Sequence, residues 1–288
     1  MRGNGKATKN TNMSIHTQPP IKKLTVQDIR AAKNRPEPFL ALTAYTAPIA
    51  QIADKHADLV LVGDSLGMVL YGMPNTLGVT LEMMMTHGRC VAQFCQRALC
   101  VVDMPFGTYQ ASPAQAFENS ARIMKKTGAG AIKLEGGTEM AGTIHFLVER
   151  GIPVLGHIGL RPQQVHVMGG YKVQGKTEDQ IEHLLQDAKA VEEAGAFAVV
   201  VEGTLEHVSR EITNSIRIPT IGIGASPACD AQILVTEDVL GLTPGAKAKF
   251  VKPYANLYHD AEQALQNLEA DVKARRFPGP ENLYIQTK

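Results

Sequence analysis

The sequence predicts an α/β protein, a (β/α)8 TIM barrel with a short N-terminal helix. Short apolar runs alternate with amphipathic helical stretches along the chain, which is typical of parallel strands joined by right-handed crossovers. Eight such runs can be counted, and eight units favour a closed barrel over an open sheet. A length of 288 residues is long for one ordinary domain but typical of one barrel.

The elements follow one another in a regular order. Thr25 and residues 26–33 predict the N-terminal helix, which Pro36 and Pro38 end. Among the later helices, Ser112 and Thr177 have the sequence context of N-caps. The predicted strands are 39–43, 59–63, 99–103, 131–135, 153–157, 198–202, 219–223 and 249–251.

No linker interrupts this alternation, so one domain is predicted. Residues 24–278 would form the catalytic barrel, between a flexible N-terminal tail at 1–23 and a C-terminal tail at 279–288. The first tail is basic, but it has neither the amphipathic periodicity of a transit peptide nor the apolar core of a secretion signal.

Composition argues against several classes of protein. Lys and Arg number 29 and Asp and Glu 28, and this balance disfavours a dedicated nucleic-acid or membrane-surface protein. No apolar run approaches the roughly 18 residues of a membrane span. The four cysteines lack Cys-x-x-Cys spacing, which favours reduced thiols and a cytoplasmic location.

Three consecutive strand–helix units carry a carboxylate at the carboxyl end of their strand. Asp64, Asp103 and Glu135 each follow an apolar run. A buried carboxylate is costly unless it is paired or binds a metal. Taken singly, each could cap a helix or form an ion pair, but three equivalent positions favour a hard-cation site. The oxygen ligands indicate Mg²⁺ first and Mn²⁺ second.

Four further residues are candidates for the same site. Lys133 shares a strand face with Glu135, and it could bind an anionic substrate or form an internal salt bridge. Glu202 ends a valine run whose desolvation would suit a general base, although a metal ligand or helix cap is the alternative. His157 could hydrogen-bond substrate or be a core residue, and Ser65 could bind a ligand or cap a turn.

One competing motif lies in the second of two long connections, 64–79 and 158–176. Residues 170–177 match the phosphate-binding pattern G-x-x-x-x-G-K-[ST]. The preceding stretch, 161–168, is polar rather than a buried strand, so the context of that motif is missing. We interpret the segment as a mobile loop over the barrel mouth, with its two lysines solvated or near an anionic ligand.

Several ordered motifs resemble the ketopantoate hydroxymethyltransferase family from about residue 25 to residue 278. They lie at 61–68, 103–107, 117–119, 133–137, 156–160, 169–175 and 221–225. The resemblance implies a barrel of the phosphoenolpyruvate/pyruvate type. It also implies transfer of a hydroxymethyl group from 5,10-methylenetetrahydrofolate to 3-methyl-2-oxobutanoate, giving 2-dehydropantoate for pantothenate and coenzyme A synthesis.

The resemblance also implies roles for individual residues. Asp64 and Asp103 would bind Mg²⁺, with Glu135 nearby or ligating. Ser65 and Lys133 would contact the keto acid. Glu202 would accept the proton when a metal-stabilised enolate forms. Members of the family assemble as decamers of two stacked pentameric rings.

Three other hypotheses remain to be compared with this one. The first is a Mg²⁺-dependent lyase or mutase acting on other 2-keto acids, although the reactive-cysteine loop of such barrels is absent from the sequence. The second is a nucleotide-binding protein that uses residues 170–177. The third is a catalytically inactive barrel, which the intact candidate residues disfavour.

Overall fold

A closed barrel of eight parallel strands forms the core of the computed structural model, which describes residues 22–33, 35–245 and 247–285. Each strand pairs with the next, and β8 pairs with β1. The strands are β1 (Phe39–Thr43), β2 (Leu59–Val62), β3 (Leu99–Asp103), β4 (Ala131–Lys133), β5 (Val154–Gly159), β6 (Ala198–Glu202), β7 (Thr220–Ile223) and β8 (Ala231–Leu234).

Helices connect the strands on the outside of the barrel. They are α1 (Val26–Arg30), α2 (Ala47–His56), α3 (Leu66–Val69), α4 (Leu81–Ala92), α5 (Pro113–Thr127), α6 (Ala141–Glu149), α7 (Glu178–Glu193), α8 (Glu206–Ser215), α9 (Thr236–Val239) and α10 (Leu257–Lys273). The predicted N-caps are confirmed, since the Ser112 and Thr177 hydroxyls accept hydrogen bonds from the third residues of α5 and α7. None of the helices in the described ranges is long and apolar enough to cross a membrane.

The predicted eighth strand at 249–251 is wrong. The strand that closes the barrel is β8, in which Ala231 pairs with Phe39 of β1 and with Ile221 of β7. The β8 run is only four residues long, and Gln232 interrupts its apolar character, so its sequence signal is weak. Residues 249–251 instead lie in a connection at the barrel mouth, where Phe250 is 41% exposed.

Alternation along the strands divides the core into two layers. Odd-numbered residues of β2 and β3, such as Leu59 and Val101, fill the barrel interior, while Val60 and Val102 pack against the helices. The same period of two directs Asp103 of β3, Lys133 of β4 and Glu202 of β6 inward at the carboxyl ends of their strands. At the amino ends, Ile29 and Ala32 pack beneath the barrel.

The tails contribute little to this architecture. The predicted tail at 1–23 lies outside the described residues except for its last two positions, and residues 286–288 also lie outside them. The domain boundaries at 24 and 278 stay predictions. Helix α10 follows the barrel and contains no buried residue.

Candidate active site

A cavity of about 330 Å³ opens at the carboxyl ends of the strands. The candidate residues Asp64, Ser65, Asp103, Lys133, Glu135, His157 and Glu202 all line it. Ligand sites of barrel enzymes lie at this face, where the loops that follow the strands meet. The structure therefore brings all seven residues to one place.

Lys133 and Asp103 form the central ion pair of the cavity. Lys133 Nζ lies 2.6 Å from Asp103 Oδ1, and both side chains are almost completely buried. The other oxygen of Asp103 accepts a hydrogen bond from the backbone N–H of Asp64 at 3.0 Å. Burial by itself would lower the pKa of Lys133, yet Asp103 and the neighbouring carboxylates outweigh burial and raise it. The lysine is therefore charged at every physiological pH.

Asp64 is a buried carboxyl group beside a second carboxylate. Burial, followed by the charge of Asp103, raises the pKa of Asp64 to about 7. Lys133 and a hydrogen bond from Gln163 act in the opposite direction. One lysine thus balances more than one carboxylate, and the site has an excess of negative charge that favours binding of a cation.

Glu135 lies at the back of the cavity. Its Oε2 accepts a hydrogen bond from the backbone N–H of Gln163 at 3.1 Å, while its Oε1 is buried and has no hydrogen-bond partner among the described residues. Burial, followed by the charge of Asp64, raises the pKa of Glu135 well above its ordinary value. An unsatisfied buried oxygen is costly, so an additional positive group is expected to satisfy it.

The donor set fits a hard cation only in part. Within the described ranges no group of three or more His, Cys, Asp or Glu side chains is arranged to hold a metal ion. Mg²⁺, however, commonly uses one or two carboxylates and completes its coordination with water and substrate oxygens. The cavity contains Asp64 and Asp103 as a candidate pair, and the ligand roles of Asp64, Asp103 and Glu135 all stay predictions.

His157 lies between two acidic residues. Its Nε2 is 3.2 Å from Glu202 Oε2 and its Nδ1 is 3.6 Å from Glu135 Oε1, but neither nitrogen has the alignment of a hydrogen bond. Burial and then the charge of Lys133 lower the pKa of His157. The two ring nitrogens of His157 have no hydrogen-bond partner among the described residues, and the substrate role of His157 stays a prediction.

Glu202 and Ser65 complete the predicted set. Glu202 is the last residue of β6 and faces the cavity with an 18% exposed side chain. It does not cap α8, whose N-cap is Leu205. Ser65 precedes α3 but makes no capping bond, and its Oγ lies 2.7 Å from the hydroxyl of the fully buried Tyr45. The capping alternatives for Glu202 and Ser65 are thus not observed.

Two residues at the site were missed by sequence reasoning. Tyr45 lies in the connection after β1, and Gln163 lies in the connection after β5. Both are buried and polar, and each follows a strand end. Their position after a barrel strand could have indicated a place near the site. Their hydrogen-bond partners could not be predicted, because those partners are distant along the chain.

The phosphate-binding interpretation of residues 170–177 finds no support. The segment follows irregular chain rather than a buried strand, and both of its lysines are exposed. The backbone N–H of Gln174 in this segment donates a hydrogen bond to Gly203 O, after β6, at 2.8 Å. Tyr171 of this segment and Phe250 of the later connection form part of an apolar wall around the outer cavity.

Comparison of the fold with solved structures defines the class of barrel. A 2,3-dimethylmalate lyase of the PEP mutase/isocitrate lyase superfamily matches with a TM-score of 0.55, 18% identity and coverage of 93% of each chain. A phosphoenolpyruvate phosphomutase from Streptomyces platensis matches with a TM-score of 0.57, 14% identity and coverage of 91% of this chain and 92% of that one. These likenesses show that the fold is a (β/α)8 barrel.

Comparison of the sequence is more specific. The profile of ketopantoate hydroxymethyltransferase matches residues 23–280, and the chain belongs to that family of transferases. The 3-methyl-2-oxobutanoate hydroxymethyltransferase of Rhodospirillum rubrum is 56% identical over 273 residues, covering 94% of this chain and 98% of that protein. The enzyme of the same name from Bordetella petrii is 57% identical over 265 residues, covering 92% and 96%.

Proposed function

We propose that this protein transfers a hydroxymethyl group from 5,10-methylenetetrahydrofolate to 3-methyl-2-oxobutanoate, giving 2-dehydropantoate in pantothenate synthesis. The observation that carries the proposal is the family match over residues 23–280. The buried set of charges in the cavity supports the same chemistry, because it suits a small anionic keto acid and a group that removes a proton.

The keto acid would bind with its negative charge toward Lys133. Lys133 is buried and permanently charged, and its partner Asp103 faces the same cavity. Ser65 and His157 offer further hydrogen-bonding groups on either side. A charged donor in a buried site interacts strongly with substrate because little water screens it.

Asp64 and Asp103 would hold a divalent cation, Mg²⁺ or Mn²⁺, with Glu135 directly or through water. When bound, the cation would supply positive charge to the oxygens of the keto acid and so lower the energy of the enolate. The raised pKa of Asp64 and the unsatisfied Glu135 oxygen both support a missing positive charge here.

Glu202 would accept the proton from C3 of the keto acid. It lies on β6, opposite the Asp64 and Asp103 side of the cavity, so the substrate would lie between base and carboxylates. The electron pair released from the C3–H bond would then form the new bond to the methylene carbon, the C–N bonds that hold this carbon to the folate would break to release tetrahydrofolate, and water would supply the hydroxyl oxygen. His157 Nε2 lies 3.2 Å from Glu202 Oε2, next to the proposed base.

The folate would occupy the outer part of the cavity. The wall there is apolar and includes Tyr171, Phe250, Leu160 and Val251, which suits a flat aromatic ring system.

The protein would act in the cytoplasm as a homo-oligomer, a decamer of two pentameric rings. In support, α10 exposes the apolar residues Leu265, Leu268 and Val272 and has no buried residue in the single chain. Another copy covering this face would remove it from water. Light scattering of the purified protein should give ten times the chain mass, and a monomeric mass would refute the assembly.

The function is tested by following 2-dehydropantoate formation from both substrates. We expect product with Mg²⁺, loss of product with EDTA, and recovery when Mg²⁺ or Mn²⁺ is added back. Activity that persists after removal of divalent cations would refute the metal requirement. An absence of product with both substrates and Mg²⁺ present would refute the proposed reaction.

A further inference from the structure

Gln163 donates three hydrogen bonds near the cavity, two of them to carboxylates and one to a backbone oxygen. Its Nε2 donates to Asp64 Oδ2 and to the backbone oxygen of Met104, both at 2.9 Å. Its backbone N–H donates to Glu135 Oε2 at 3.1 Å. The side chain is 4% exposed. One residue thus contacts two carboxylates that come from different strand–helix units.

The orientation of the Gln163 amide is fixed by its neighbours. The Tyr109 hydroxyl donates to Gln163 Oε1 at 2.7 Å, and Gln110 Nε2 donates to the same oxygen at 3.2 Å. The Tyr109 hydroxyl also accepts the backbone N–H of Glu135 at 3.2 Å. If the amide were flipped, its oxygen would face the carboxylate of Asp64 and its NH₂ group would face the donor of Gln110. Only one orientation satisfies all partners.

These contacts oppose a repulsion within the site. Asp64 and Asp103 are buried next to each other, and Lys133 pairs directly with Asp103. Gln163 supplies Asp64 with a donor that carries no charge, so it orients the carboxylate without neutralising it. A buried amide that holds a carboxylate in this way acts like the outer-shell partners that orient the ligands of metal sites.

We propose that Gln163 is a positioning residue that orients Asp64 and Glu135 for binding of the divalent cation and the keto acid. This inference rests on the proposed function. Gln163 belongs to the connection between β5 and α7, which also carries Tyr171 at the cavity wall. Gln163 therefore couples the position of that connection to the orientation of the two carboxylates.

The substitutions Gln163→Leu and Gln163→Met test the side-chain contact. Leu and Met have a similar size but cannot donate to Asp64. Both keep the backbone N–H that bonds Glu135. The matched controls are the same substitutions at Gln164, which follows in the chain and whose side chain makes none of the site hydrogen bonds described above.

Direct Mn²⁺ binding, measured by electron paramagnetic resonance without substrate, is the primary readout. We expect both Gln163 variants to bind Mn²⁺ about 10- to 100-fold more weakly than the wild type, and the Gln164 variants to bind normally. KM for 3-methyl-2-oxobutanoate should rise by a similar factor, while kcat stays within about threefold because Gln163 does not touch Glu202. A purely structural role would not produce this split.

Tyr109→Phe keeps Gln163 but removes the donor that orients its amide. It should weaken Mn²⁺ binding in the same direction by about three- to tenfold, and it carries the test if the Gln163 variants fail to fold. Variants that fold and bind Mn²⁺ as tightly as the Gln164 controls would overturn the inference. A wild-type protein that binds no Mn²⁺ and makes no product would instead overturn the proposed function.

Discussion

Two buried lysine–aspartate pairs lie at opposite ends of the barrel. Lys33 Nζ is 3.0 Å from Asp230 Oδ2 at the amino ends of the strands, and Lys133 Nζ is 2.6 Å from Asp103 Oδ1 at the carboxyl ends. Both pairs are largely removed from water. Their surroundings differ, and that difference separates a pair that supports the fold from one that serves a site.

The amino-end pair is enclosed by backbone partners. Lys33 also donates to the backbone oxygen of Thr213 at 2.6 Å, and Asp230 accepts from the backbone N–H of Thr220 at 2.8 Å. The carboxyl-end pair borders a cavity that also contains Asp64 and Glu135. Lys133 therefore balances only part of the negative charge at the carboxyl ends, and a positively charged ligand can balance the rest.

The largest expected effect is on proton transfer at the carboxyl ends. Glu202→Gln removes the proposed base without changing its size, so exchange of the C3 proton of 3-methyl-2-oxobutanoate with solvent should fall by about 100- to 10,000-fold. Exchange is followed by NMR in deuterated buffer, and Mn²⁺ binding should persist. An unchanged exchange rate would show that Glu202 is not the base.

Lys133→Met tests the carboxyl-end pair directly. The variant should lose at least about 100-fold in kcat/KM because the keto acid loses its charged partner. Its free energy of unfolding should fall by about 3–5 kcal/mol, since Asp103 is left buried and unpaired. Saturating Mg²⁺ should stabilise the wild type by about 2.7 kcal/mol at one hundred times its dissociation constant and the variant by more, because the cation supplies the positive charge that Asp103 has lost. Urea unfolding with and without Mg²⁺ measures this, and no recovery would contradict the proposed cation site.

Lys33→Met is the matching substitution at the amino ends. It should also lower the free energy of unfolding, because the ion pair with Asp230 is lost. Mg²⁺ should stabilise this variant by the same amount as the wild type, so the difference from the wild type should persist, and kcat/KM of the folded enzyme should stay at the wild-type value. A difference from the wild type that Mg²⁺ narrows equally in the two lysine variants would contradict the distinction between the two ends.

A smaller effect is expected at Glu237 in α9, a buried carboxyl group with one unsatisfied oxygen. Burial raises its pKa from 4.5 to about 7. The folded state therefore binds this proton more tightly than the unfolded state, so the stabilisation is complete below pH 4.5 and is lost as the pH rises through 7.

Glu237→Gln mimics the protonated group and should remove this pH dependence. At pH 8 the variant should be about 3 kcal/mol more stable than the wild type, and at pH 4.5 the two should be nearly equal. Urea unfolding at both pH values measures the difference. Glu262→Gln on the exposed face of α10 is the control and should change neither value. A variant no more stable at pH 8 would contradict the raised pKa.

Much of the site could be predicted because its residues follow local patterns. Asp103, Lys133 and Glu202 occupy strand positions that a period of two directs inward, and each follows its own apolar run. The strand of Asp103 and that of Glu202 were predicted at the residues where they are observed. The pattern that predicts each of these positions lies within about five residues of it along the sequence.

Gln163 and β8 could not be predicted in the same way. The hydrogen bond of Gln163 with Asp64 joins residues 99 positions apart, and no local pattern encodes it. β8 is a strand because its edges meet β1 and β7, whereas residues 249–251 have no such partner. In both cases the deciding contact forms only when the barrel closes.

The sequence by itself determined the barrel class, the family and the inward positions of the charged residues, because periodicity and motifs are local properties of the chain. Only the tertiary structure decided which charges pair, which remain exposed to the cavity, and which amide orients them. Lys133 illustrates the difference. Its position in a strand could be predicted from the adjacent residues in the sequence, whereas its ion pair with Asp103 forms because β3 and β4 lie side by side.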